Sequence, residues 1–340
     1  MAGHAQAAEG RPSRHAKMAY KAAVPTSPFR DDVLAGRVVL ITGGATGIGL
    51  GCSETFGRHG AKVAILARRK EVIDLAVDHL QDQGIDAFGV QGDVRDFELC
   101  EKSVAAVIAH FGRLDFLINN AAGNFMVSAE ELTPNGLSTV LGIDLQGMFH
   151  MSKACLPHMK TTGPTDGACI INITATLQDR ATPFQAHAAS AKAGIDVFTN
   201  TLGAEWAEYG IRVVGLAPGG VAGTVGGPGG RVFSNDENKT SSNAVGSAEN
   251  IDLGEPSPEE VRRTGTPAGR WGRVDDIALS ALFMCSSAAS WITATRLVID
   301  GGQSHGVKSF VEVKEMIKAK SMSEKKVTSG GIAKKTTAKL

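Results

Sequence analysis

Aromatic residues are scarce in this chain of 340 residues: Phe, Trp and Tyr together make up 5%, and only two are tyrosines. Net charge is absent too. The 35 basic residues balance 35 acidic ones and no long basic run occupies the central region, so neither nucleic acid nor a membrane surface is indicated as the main partner. No apolar run reaches the roughly 18 residues that cross a bilayer, and the N-terminus lacks the apolar core of a secretory signal. A soluble, non-secreted chain is expected. The five cysteines, Cys52, Cys100, Cys155, Cys169 and Cys285, are scattered, odd in number and without metal-ligand spacing. They read as packing residues in a reducing compartment, with neither a disulfide framework nor a metal expected. What these absences leave is a small-molecule site in one large α/β domain with tails, because the length is too short for two ample domains once flexible ends are subtracted.

Seven short apolar runs are present: RVVLIT (37–42), KVAILA (62–67), FGVQG (88–92), LDFLIN (114–119), ACIINIT (168–174), IRVVGLA (211–217) and TRLVID (295–300). Helical patterns separate most of them, which predicts a parallel sheet covered on both faces, a doubly wound α/β fold over residues 35–305. Ligands in such sheets bind beyond the strand carboxyl ends, near the switch in strand order. Residues 1–34 read as a flexible arm. The Gly, Ser, Asn and Pro-rich stretch at 224–270 is either a lid or a partly disordered insertion. Residues 306–340 form a tail with nine lysines.

The first strand runs into TGGATGIG, in which Gly43, Gly47 and Gly49 allow a tight turn and a close backbone approach to a pyrophosphate at a helix N-terminus. Directly after a strand and before an apolar helix, this turn points to a dinucleotide, with Ala45, Thr46 and Ile48 beside it. The second strand ends in ARRK, where an NAD site would hold an acidic residue. Arg68 there suits the 2′-phosphate of NADPH; the alternative is the solvated start of the next helix. Asp93 either holds the adenine amino group, with Val94 next to it, or caps the helix that follows.

With TGGATGIG, FGRLDFLINNAAG (111–123), Lys192 and APGG (217–220) in this order, the chain resembles the short-chain dehydrogenase/reductase family over roughly residues 35–305. The resemblance implies a seven-stranded Rossmann-type, three-layer fold, dimers or tetramers, and hydride transfer with a nicotinamide cofactor. It also implies that Asn120, Lys192, Pro218, Gly219 and Thr224 border that cofactor. The family's Ser and Tyr, which polarise a carbonyl, are missing: Ala175 and Ala188 stand in their places. Asp144 replaces a helical Asn, and Val214 replaces the Asn of the RVN motif.

One branch, the 2,4-dienoyl-CoA reductases and above all their peroxisomal form, is similar in these departures. The shared marks are AAGNF (121–125), Asp144, NITATL (172–177), HAASAKAG (187–194) and AEW (204–206). The resemblance implies NADPH-dependent reduction of 2,4-dienoyl-CoA to 3-enoyl-CoA in the β-oxidation of unsaturated fatty acids. Protonation at carbon needs no phenol, so a water held by Asp144 and Lys192 is the expected proton donor, and the Asn124 amide is the expected donor to the thioester oxygen. Phe125, Arg95, Thr133 and Asn135 are expected along the substrate, and Arg231 is a candidate for the CoA end. Structural readings stand beside two of these: Asn124 braces its loop, or Phe125 is core. His187 titrates near neutrality but is five residues from Lys192, so it reads as structural; Trp206 and Tyr209 read as helix packing. Ala338-Lys339-Leu340 matches the tripeptide read by the peroxisomal import receptor, which implies a peroxisomal matrix or glycosomal location. The competing readings are a 2-enoyl-CoA or other activated-alkene reductase, and a non-catalytic acyl-CoA or NADPH binder.

Overall fold

Seven strands form one all-parallel sheet in the computed structural model, which describes residues 27–179, 181–224 and 266–305. In chain order the elements are β1 (Val38–Thr42), α1 (Gly47–Arg58), β2 (Lys62–Ala67), α2 (Lys70–Asp82), β3 (Ala87–Gln91), α3 (Phe97–Phe111), β4 (Phe116–Asn119) and α4 (Pro134–Leu141). There follow α5 (Gly147–Asp166), β5 (Ala168–Ile173), α6 (Ala186–Glu205), β6 (Ile211–Pro218), α7 (Val274–Cys285) and β7 (Thr295–Ile299). The sheet order β3-β2-β1-β4-β5-β6-β7 is the doubly wound arrangement expected, and it reverses direction between β1 and β4.

The period-2 geometry of the strands sorts their side chains into two cores. Val39, Ile41, Val63, Ile65, Phe116 and Ile118 pack against Cys52 and Phe56 of α1, Val72 of α2, and Ile277 and Ala281 of α7. Val38, Leu40, Ala64, Leu66 and Leu117 face Val104 of α3, Met151 and Cys155 of α5, and Leu202 and Trp206 at the end of α6. Strands buried on both faces explain why the runs are almost continuously apolar. Each fully buried Leu or Ile contributes on the order of 1.5–3 kcal/mol. All five cysteines are free and buried, as packing residues would be, and burial alone pushes the Cys52 thiol up to about 12.

The sheet also has a polar anchor at its amino end. Asp115 is 0% exposed, accepts the Val38 N–H at 2.9 Å, and pairs with Arg37 at 3.0 Å and Arg113 at 2.6 Å. This leaves the carboxyl ends for the site.

Three features differ from expectation. Residues 27–34, the end of the expected arm, pack on the domain: Leu34 is buried and its N–H donates to the His59 carbonyl at 2.9 Å. Thr266, at the end of the expected insertion, is buried as well. β7 is apolar in sequence, yet Leu297 and Val298 are each 37% exposed, because β7 is an edge strand with a neighbour on one side only. The readings on residues 1–26, on the insertion from 225 to 265 with Arg231, and on the tail with Ala338-Lys339-Leu340 lie outside the described residues.

Candidate active site

A cavity of about 640 Å³ opens at the strand carboxyl ends where the order reverses, a size within the ordinary range for small-molecule sites. Side chains and backbone stitch its floor together. Thr42 Oγ1, at the end of β1, accepts the N–H groups of Asn120 and Ala121, both at 2.9 Å. Asn120 Nδ2 donates back to the carbonyls of Thr42 at 3.1 Å and Gly43 at 3.2 Å. The turn into α1 needs its glycines. Gly43 and Gly47 have φ of +65° and +54°, and a Cβ on Gly49 would lie 2.2 Å from the Gly43 carbonyl oxygen. The resulting cradle at a helix N-terminus fits a pyrophosphate.

Gly43, Ala45, Thr46, Gly47, Ile48, Arg68, Asp93, Val94, Asn120, Pro218, Gly219 and Thr224 all line this cavity, whereas Gly49 lies behind it as a close-packing position. Arg69, next to Arg68, lines it too. Asp93 is engaged by Arg95, whose Nε reaches both carboxylate oxygens at 3.0 Å while its backbone N–H donates to Oδ1 at 3.0 Å. That pairing holds the Asp93 carboxyl below its ordinary range. The helix cap that was the alternative for Asp93 belongs to Asp96, which accepts the Leu99 N–H at 3.1 Å.

The opposite wall carries the charged pair. Between α4 and α5 the helix widens into a π turn, Gly142–Gln146, which turns Asp144 inward; such turns are frequent at functional sites. The Asp144 carboxylate, 1% exposed, accepts the Gly123 N–H at 2.7 Å and meets Lys192 Nζ at 3.1 Å. Lys192 Nζ also donates to the Ile173 carbonyl at 3.1 Å, at the end of β5. Ala188 stands one helical turn before Lys192, and both line the cavity. A phenol at position 188 would project into the space beside the ammonium group.

The remaining candidates are placed apart from the cavity, except for one. Asn124 lines it, donates from Nδ2 to Gln185 Oε1 at 2.9 Å, and has a buried Oδ1 without a partner. Phe125 does not border the cavity; it stacks on His187 with ring centroids 4.3 Å apart, next to the apolar group of Val140, Ala188 and Ala191. Thr133 caps α4 by accepting the Gly136 N–H at 3.0 Å, Asn135 is exposed in the first turn of α4, and Arg95 is held by Asp93. His187 is fully buried, and burial lowers its pKa against the opposing pull of a Phe125 backbone group and the Asp144 charge. Trp206 is buried in the second core, and Tyr209 packs beside it under the Lys160 ammonium group, 3.6 Å from the ring centroid.

Sequence reasoning missed Gln185, Trp271 and Gln303, which also line the cavity. It missed the buried amide network beneath as well. Asn119 Nδ2 donates to Asn172 Oδ1 at 2.9 Å and to Ser152 Oγ at 3.0 Å, and Asn172 Nδ2 donates to Thr199 Oγ1 at 2.9 Å. No local spacing signals these residues, which come from four separate elements; Gln185, two residues before HAASAKAG, was the nearest to a legible one.

Comparison with known proteins agrees with this geometry. Residues 37–227 match the family model described as short chain dehydrogenase, and residues 245–304 match that described as enoyl-(acyl carrier protein) reductase. The chain belongs to the short-chain dehydrogenase family. Within it, the chain is 42% identical over 285 residues to an Arabidopsis thaliana protein named peroxisomal 2,4-dienoyl-CoA reductase, covering 81% of this chain and 87% of that one. Two solved structures superpose at a TM-score of 0.67 and 28% identity. One is the 3-ketoacyl-(acyl-carrier-protein) reductase of Brucella melitensis complexed with NADH, covering 80% of this chain and 99% of its own. The other is a gluconate 5-dehydrogenase of Burkholderia cenocepacia in complex with NADP and tartrate, covering 82% and 99%.

Proposed function

We propose that this short-chain dehydrogenase reduces 2,4-dienoyl-CoA thioesters to 3-enoyl-CoA with NADPH. The observation that carries the reading is the buried Asp144–Lys192 pair at the cavity wall, in a chain whose positions 175 and 188 both hold alanine. The name of the Arabidopsis relative supports it. NADPH, when bound, supplies a hydride for the δ carbon of the dienoyl chain. The glycine turn holds the pyrophosphate, Arg68 receives the 2′-phosphate, and Lys192 hydrogen-bonds the ribose. The end of β2 itself carries Arg68, Arg69 and Lys70 and no carboxylate. The Asn124 amide keeps one N–H on Gln185 and offers the other to the thioester oxygen, where negative charge gathers. Asp144 and Lys192 hold a water that would deliver the proton to the α carbon; Asp144 orients it, and the hydroxide left behind takes up a proton relayed from solvent past Asp144. Arg95, Phe125, Thr133 and Asn135 act on the substrate only if the loops around the cavity move on binding, since none of them borders it.

Peroxisomal residence, through the import receptor, belongs to the same reading and rests on the relative's name. Import of a fluorescent fusion with and without Ala338-Lys339-Leu340 tests it. Assembly as a homo-oligomer is supported by the exposed apolar edge of β7 and is read by sedimentation.

The deciding assay follows NADPH oxidation with 2,4-hexadienoyl-CoA and 2,4-decadienoyl-CoA beside a 2-enoyl-CoA and a 3-ketoacyl-CoA. Turnover confined to the dienoyl substrates is expected. Turnover of the 2-enoyl-CoA alone would make the protein an enoyl reductase, and binding without turnover a non-catalytic member.

A further inference from the structure

The chain leaving β5 forms the cavity wall from Thr174 to Leu177, and its described residues up to 179 and from 181 to 185 are irregular before α6 begins at Ala186. At its far end Phe184 adopts φ +66°, Val127 N–H donates to the Phe184 carbonyl at 3.1 Å, and Gln185 is bonded to Asn124. The near end is held from a distance, by Arg296 of β7. Arg296 Nη2 donates to Asp179 Oδ1 at 2.6 Å, while Nη1 donates to Asp196 Oδ2 at 2.9 Å and to the Ala175 carbonyl at 3.4 Å. Asp196, on α6, also accepts Thr174 Oγ1 at 2.9 Å on Oδ1 and Gln178 Nε2 at 2.5 Å on Oδ2. Thr174, Ala175, Gln178 and Asp179 therefore converge on one guanidinium–carboxylate node. Asp196 sits one helical turn after Lys192, so the same face of α6 anchors both this node and the Asp144 pair.

A glycine lies under the arginine stem. Arg296 pairs in register with Gly215 of β6, which in turn pairs with Asn172 of β5. A Cβ on Gly215 would stand 3.3 Å from Arg296 Cγ and 3.4 Å from its Cβ, so the bare glycine lets the arginine stem cross β6. The charged side chains of Arg296, Asp179 and Asp196 are only 23%, 24% and 20% exposed, which limits screening by solvent and salt. The planar fork bridges two carboxylates, which a single ammonium group cannot match.

We propose that Arg296 is a positioning residue that clamps the loop after β5 and so sets the acyl side of the cavity; the assignment to the acyl side rests on the reductase reading above. The test uses the NADPH-loaded enzyme and the variants Arg296→Met, Arg296→Lys, Asp179→Asn and Gly215→Ala. Amide hydrogen exchange over 174–186 is measured together with the KM and kcat for 2,4-decadienoyl-CoA and the KM for NADPH. In Arg296→Met the loop amides are expected to exchange faster and the acyl KM to rise about tenfold, the equivalent of one charge-assisted hydrogen bond, with kcat and the NADPH KM little changed. Arg296→Lys should recover part of the loss, and Gly215→Ala should reproduce part of it by crowding the stem. Should Arg296→Met not fold, Asp179→Asn carries the test, because it leaves the Arg296–Asp196 pair intact. A lower melting temperature with unchanged loop exchange and unchanged KM would overturn the proposal and leave Arg296 a stabilising ion pair. Altered loop exchange in a protein that reduces no dienoyl substrate would keep the clamp and reject the substrate reading.

Discussion

The two sides of the cavity are built differently. The side around the turn from β1 into α1 is made of backbone, glycine and a few residues close together in sequence: Gly43 and Gly47, with Gly49 packed behind them, then Arg68 at the end of the next strand. The other side is made of side chains that meet across long stretches of chain, such as Asp144 with Lys192 and Arg296 with Asp179. A site for a conserved chemical shape, a diphosphate, can be supplied by one local turn. The proposed reaction, which has to place a proton and an acyl chain, would need charges fixed by tertiary packing.

The largest effect in breaking that comparison is expected at the charged pair. Asp144→Ala should lower turnover of a dienoyl-CoA by about 10²–10⁴-fold, the usual scale for general acid–base groups, and leave NADPH binding, read by fluorescence titration, nearly unchanged. Unaltered turnover would remove Asp144 from the mechanism. On the other side, Gly49→Ala forces a Cβ against the Gly43 carbonyl oxygen, 2.2 Å away in the native backbone. It should destabilise the fold by about 1–3 kcal/mol and weaken cofactor binding, as calorimetry and titration would report. Arg68→Ala should cost about tenfold to a hundredfold in NADPH affinity and little in NADH affinity, because a guanidinium–phosphate bond is worth about 1.5–3 kcal/mol.

Smaller effects sharpen the picture beneath the site. Asn172→Ala removes the acceptor of Asn119 and the donor to Thr199, and should cost about 1–3 kcal/mol in denaturant melts for the buried groups left unpaired. His187 predicts the smallest change. Its folded pKa is lowered from 6.5, so below that pH the unfolded chain takes up a proton that the folded chain refuses. Stability should fall as pH drops through 6.5 and level off once the folded imidazole also titrates. The variant His187→Asn should flatten this slope; an unchanged slope would assign it to other groups.

Much of the fold was legible because fully buried parallel strands must be apolar and because helix and strand impose different periods on the chain. All seven strands lie within a residue or two of their apolar runs, and the TGGATGIG turn lies at the cavity. The exposure of β7 was not legible, since an edge strand and a central one share the same residue types. Phe125, Thr133 and Asn135 were carried by resemblance to the substrate, whereas the tertiary structure gives them a ring stack, a helix cap and an exposed helical position.

By itself, then, the sequence determined the doubly wound architecture, the glycine cradle with a basic residue beyond it, and the absence of Ser and Tyr at 175 and 188. Each depends on local periodicity, local sterics or residue identity. Only the tertiary structure decided that Asp144 turns inward on a π turn to meet Lys192, that Asp96 rather than Asp93 caps α3, and that Arg296 crosses Gly215 to hold the loop after β5. Those outcomes depend on which elements the sheet order brings side by side, and residue spacing does not encode distances across the sheet.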